Sequence, residues 1–284
     1  MKNTSKFLAA VLMCAMFASC SAKTDPDVIA STQEIPPETT VAAIDVVQPT
    51  VQEETEASTE NTEPFVIEIK PVITETQNQV TVTTVDEFLA AIAPNTEIIV
   101  DAELIDLSKA AGYGKTDGDY YYWAEAYDGP ELYIADVSNL TIRGAGVDHT
   151  VNVISSVPRY SNMLNFFNCA NIMVKGLTVG HTEEPGYCLG GVLFFMNSQD
   201  ILVEDCGLFG CGTLGVKAES SKNIQIINND IYDCSVGGVE LTNCDDVNVD
   251  GNTFRELGGP NFRVYGCGTI TCNGERVHDF SPRR

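Results

Sequence analysis

The chain has 284 residues, 40 of them acidic and 16 basic, for a formal net charge of −24. Such a polyanion repels DNA and RNA, and no basic stripe is present to neutralise phosphates, which argues against nucleic-acid binding.

Lys2 and Lys6 precede an apolar run from Phe7 to Ser19. That run is too short for a spanning helix, which needs about 20 apolar residues. Residues 1–19 therefore read as a secretory signal. Phe17-Ala18-Ser19-Cys20 resembles the bacterial lipobox, with Phe where Leu is usual. It implies that Cys20 becomes the lipidated N-terminus of an exported protein anchored to the bacterial cell membrane and facing outward. Cleavage near Ala18 or Ala22, leaving a soluble secreted protein, is the alternative.

Residues 20–80 differ in composition. From Thr24 to Val80 there are twelve acidic residues against one base, Lys70, among many Thr, Pro, Val and Gln. Such a segment cannot bury a core and predicts a self-repelling, extended tether. Phe65 to Ile73 alternates apolar and polar residues and is a candidate stray strand. Residues 81–284 suit one folded domain.

That domain is repetitive. Asn139-Leu-Thr-Ile-Arg-Gly, Asn171-Ile-Met-Val-Lys-Gly, Asp200-Ile-Leu-Val-Glu-Asp, Asn223-Ile-Gln-Ile-Ile-Asn and Asp246-Val-Asn-Val-Asp-Gly align, with a weaker copy from Thr269. The starts are 32, 29, 23, 23 and 23 residues apart. Within each unit short apolar runs alternate with the period of a strand, as in Ile201/Val203, Leu208 and Val216/Ala218. Three short strands per 23 residues make a solenoid coil, and neighbouring coils bury one another's inner faces. Three residues before the repeat starts stand Asp136, Asn168, Asn197, Ser220 and Asn243, a column of short polar side chains suited to turns.

The Asn turn, the Val-x-Val strand and the Gly-Val strand resemble the bacterial right-handed parallel β-helix repeat proteins of the pectate-lyase-like superfamily. Val85 to Val100 looks like that group's N-terminal capping helix leading into a first strand, with Thr84 or Asp86 as N-cap and Phe88, Leu89 and Ile92 plugging the core. The resemblance implies an all-β, right-handed parallel β-helix solenoid. It is weak for function, since the architecture hosts lyases, hydrolases, epimerases and adhesive domains.

The group's lyases imply outward Asp clusters holding calcium. Here the outward column of the first strand reads Arg143, Lys175, Glu204, Ile227, Asp250 and Asn273. Carboxylates two coils apart lie about 10 Å from each other, too far to share a calcium at roughly 2.3–2.6 Å. Of the galacturonase motifs only Asp245-Asp246 occurs, and it sits in a turn. Neither template is met, and no cofactor or metal is expected. A second outward column, Leu193, Lys217, Glu240 and Arg263, reads as a solvated charge ladder.

Aligning coils through Val147, Val179, Leu208, Ile231 and Phe254 puts His149, His181, Gly210, Asp233 and Glu256 in one column. The two long coils carry Arg159 and Tyr160 in one insertion, and Glu183, Glu184 and Tyr187 in the other. Rings stack on sugars and carboxylates bond hydroxyls, and solenoid insertions tend to mark the binding face. The expectation is a ligand face of His149, Arg159, Tyr160, His181, Glu183, Glu184, Tyr187, Asp233 and Glu256 that binds a neutral or basic sugar polymer or a cell-surface partner. A polysaccharide-degrading enzyme and a purely structural scaffold are the rivals. Beyond Cys14 and Cys20, eight cysteines remain; Cys211/Cys234 and Cys244/Cys267 are each 23 apart. Free thiols are favoured over cross-coil disulfides, because ladder side chains point in parallel.

Overall fold

Inward Ile and Val of successive coils meet in unbroken ladders. Ile98, Ile142, Val174, Val203, Ile226 and Val249 are cross-strand partners in sequence along one wall, all buried. Ile105, Ile154, Val179, Leu208, Ile231 and Phe254 form the second wall. Ile134, Phe166, Phe195, Ala218, Leu241 and Val264 form the third, where Phe166 and Phe195 stack at 4.9 Å. Burial of these side chains, at about 25 cal/mol per Å² of apolar surface, holds the stack together.

The computed structural model describes residues 77–181, 190–210 and 213–277. Among them, three sheets of nine, six and seven strands wrap one core as a right-handed parallel β-helix. The first sheet carries the repeats, for example Ala170–Lys175 and Gln199–Glu204. The second holds short strands such as Thr178–His181 and Gly207–Phe209, and the third holds Leu193–Met196 and Leu214–Glu219. Pairing is parallel except at two hairpins, Tyr121–Glu125 with Pro130–Ala135, and Ile270–Cys272 with Glu275–Arg276.

The solenoid starts at a strand, Asn78–Val82, followed by a helix, Val85–Ala91. Thr84 caps the helix: its side chain accepts from the Glu87 amide while the Glu87 carboxylate accepts from the Thr84 amide. Phe88, Leu89 and Ile92 are buried in the core. The turns into the first sheet bear out the polar column. Asp136, Asn168, Asn197, Ser220 and Asn243 all have φ near +50°, and so do Asn139, Asn171, Asp200, Asn223 and Asp246 three residues on. Asn and Asp tolerate this left-handed backbone, and their side chains bond across coils, as Asn223 Nδ2 does to Asp200 Oδ1 at 2.6 Å.

Between those two columns the Ser198 amide donates to the Ser221 hydroxyl at 3.0 Å, and the Cys244 amide to the Cys267 sulfur at 3.2 Å. Serine and cysteine there satisfy a backbone donor of the preceding coil. The six described cysteines are free thiols. Burial pushes Cys206 and Cys234 up to about 12 and Cys169 and Cys244 up to about 11, so they stay protonated and inert. Cys20, Cys188 and Cys211, like residues 65–73, lie outside the described residues.

Two register expectations are corrected. Val179 pairs with Ile154, not with Val147, which is fully exposed in the loop before that strand. Lys217 pairs with Phe194, one residue beyond Leu193. The charge ladder is also looser than its sequence suggested. Arg263 lies 3.6 Å from Glu240, but Lys217 bonds Glu219 on its own strand at 2.7 Å and sits over the Phe194 ring.

Candidate functional site

Outward residues of the second sheet form two columns. One runs Leu104, Val153, Thr178, Gly207, Asp230 and Thr253; the other runs Asp106, Ser155, Gly180, Phe209, Tyr232 and Arg255. In the second column the Phe209 ring lies over Gly180, where any Cβ would come within 2.4 Å of it. Phe209 stacks on Tyr232 at 5.4 Å with 13° between planes, and the Arg255 guanidinium covers Tyr232 at 3.7 Å. Asp230 holds Arg255 in place at 2.8 Å. The result is a strip of two rings and a guanidinium across three coils, with Phe209 and Tyr232 half-buried and Arg255 exposed. The spacing of 209, 232 and 255 follows the 23-residue repeat, and that signal was present in the sequence.

Two loops of the first long coil lie before and after the strand Val153–Ser156 of this sheet. The loop before Val153–Ser156 folds over it: the His149 carbonyl accepts from Thr178 Oγ1 at 3.0 Å, and the His149 ring lies close above Gly207. The loop after that strand carries Arg159 and Tyr160. Both backbone amides donate to the Asp128 carboxylate, at 2.6 and 3.1 Å, so the loop is tied to the tip of the hairpin ending at Pro130. Tyr160 contacts Tyr127 at 4.9 Å, and Tyr127 is 87% exposed.

The column drawn through His149 and His181 does not form. Ser156 is the partner of His181, and His149 sits in the preceding loop. His181 is 1% exposed, with Nε2 against the Ser161 carbonyl at 2.9 Å. Burial lowers its pKa, so it is neutral and not a surface cation. Asp233 and Glu256 keep their places after Tyr232 and Arg255, but both have φ near +55°. They are turn residues first. Glu183, Glu184 and Tyr187 lie outside the described residues.

A cleft of about 590 Å³ opens between the 145–151 loop and the outer face of the first sheet, within the range of ligand pockets. Its lining includes Glu97, Arg143, Asp148, His149, Lys175 and Asp205. Arg143 Nε bonds Glu97 at 2.6 Å and Nη1 bonds the Gly144 carbonyl at 3.1 Å. Burial alone would raise the Glu97 pKa; the hydrogen bonds from Arg143 and Gln79 outweigh it and hold the carboxyl low. Asp148 is held low chiefly by the Thr150 amide. No group of metal-ligating side chains occurs among the described residues.

These features define a parallel β-helix solenoid, and a family model agrees on the fold. Residues 128–281, just over half of the chain, match the family described as right-handed β-helix region, and the chain belongs to that family. A crystal structure of a Parabacteroides merdae protein, provisionally named a glycosyl hydrolase, is similar with a TM-score of 0.41. The two share 11% identity over 71% of this chain and 99% of that one. No curated protein sequence matches the chain.

Proposed function

We propose that the domain binds a polysaccharide along the outer face of the second sheet, without cleaving it. The strip of Phe209, Tyr232 and Arg255 carries this reading, because two rings stacked on one another and a guanidinium beside them set apolar edges and hydrogen-bond donors in a row at the coil spacing, suited to a polymer of repeating sugars. His149, close above Gly207, adds a contact beside it. The rival reading is a glycoside hydrolase. Its usual carboxylate pair lies about 5–9.5 Å apart. Among the described strand residues of this face the carboxylates are Asp106 and Asp230, four strand spacings or roughly 19 Å apart, and Asp230 is committed to Arg255. Asp233 and Glu256 stand one coil apart in the turns that follow, with Glu256 3.9 Å from Arg255, and they are the pair the rival reading would use.

A glycan array with the full mature chain, followed by chromatography of any bound polymer for released products, tests both readings. Binding without products is expected; product release would favour the enzyme. Replacing Phe209 and Tyr232 together with Ala is expected to weaken binding about ten-fold or more, since aromatic contacts contribute about 0.5–1.5 kcal/mol each beyond area burial. Unchanged affinity in that variant would remove the strip from the site.

The same reading has the chain exported and held on a membrane by lipid on Cys20. Among the described residues no helix is long and apolar enough to cross a bilayer.

A further inference from the structure

Arg143 and Lys175 are direct cross-strand partners on the outer face of the first sheet. Like charges so placed repel each other, and in a chain of net charge −24 an acidic neighbour for each would be the simple arrangement. Arg143 has one, Glu97. Lys175 makes no ion pair among the described residues: Glu204 is its cross-strand partner and Glu97 feels its charge, yet neither carboxylate closes to ion-pair distance.

Lys175 lines the cleft together with Arg143, its cross-strand partner. The nearby acids are largely committed, Glu97 to Arg143 and Gln79, and Asp148 to the Thr150 amide. Asp205 on the rim is the other negative group. Gly144, Gly146 and Gly176 keep the walls low, and the space above Gly176 is open. His149 belongs both to this cleft and to the second-sheet face, so the two sites adjoin.

We infer that the cleft receives a single anionic substituent of a saccharide, a carboxylate or a sulfate ester, held by Lys175 and Arg143. This deepens the polysaccharide reading and rests on it. The field of the whole domain disfavours a polymer charged at every unit. One anion per several sugars, seated where two cations meet, is compatible with it.

The test titrates the full mature chain with D-glucuronate, glucose 6-sulfate and glucose, following the His149 ring signals by NMR. A charged sugar is expected to shift the His149 signals with millimolar affinity that weakens with added salt, and glucose to leave them unmoved. Whichever charged sugar binds more tightly names the substituent. Lys175→Met is expected to lower that affinity about ten-fold or more, and Lys175→Arg to keep it within about three-fold. Equal responses to glucose and both charged sugars, no response to any, or an unaffected Lys175→Met variant would each overturn the inference. The Phe209 and Tyr232 variant separates the two sites: polymer binding lost there but indifferent to Lys175→Met leaves the strip standing and removes the cleft.

Discussion

With Nε2–H donating to the Ser161 carbonyl and Nδ1 without a partner among the described residues, His181 is a buried imidazole whose charged form the fold disfavours. Desolvation lowers its pKa below the ordinary 6.5. In the unfolded chain the ring takes up a proton as pH falls through that ordinary value, whereas the folded chain resists. The stabilising effect is therefore complete above about pH 6.5 and is lost on acidification towards the lower folded value. The melting temperature is expected to fall between pH 7.5 and pH 5 by a few °C more in the parent than in His181→Gln. Parallel melting curves would show that the ring titrates normally. The sequence made His181 a companion of His149 because Val147 and Ile154, seven residues apart, are both plausible inward residues. Periodicity cannot tell on which side of a short strand an insertion sits.

At the level of the element, strand identity was written in the 23-residue repeat, while register was legible only where apolar and polar residues alternate. Ile201-Leu-Val-Glu alternates in burial and was placed correctly. Val192-Leu-Phe-Phe does not alternate, so Leu193 was taken for Phe194, the one-residue slip to which uniform runs are open. The Tyr121–Glu125 hairpin went unread although Asp128-Gly129 is a turn signal. Val239, buried between Val216 and Phe262, tests the register. Val239→Asp is expected to abolish cooperative unfolding in circular dichroism, because an unpartnered buried polar group costs roughly 2–7 kcal/mol against a total stability of about 5–15. The outward neighbour change Glu240→Gln should leave the melting curve nearly intact. A stable Val239→Asp protein would mean that the third wall is misregistered.

For the whole molecule, the proposed lipid anchor is directly testable. Cys20→Ala is expected to move the protein from the membrane fraction to the medium and to end palmitate labelling; retention in the membrane would mean that Cys20 is not the anchor. The candidate face was only partly legible at this scale. The insertion drew notice to Tyr160, and the turn column to His149, which the structure places close above Gly207 of the second sheet. The aromatic strip and the Arg143–Lys175 cleft were passed over, because single outward columns look like ordinary solvated surface until their neighbours are known.

The parallel ladders also decide how the domain responds to force. Strands lie across the solenoid, so hydrogen bonds between coils point along its axis. Tension applied along that axis loads only the ladder at the terminal coil, which parts and passes the load to the next. Shear across the axis loads every bond of a sheet pair at once. The same structure thus peels gently from its ends, one coil after another, and stays stiff against a polymer dragged sideways over its flank.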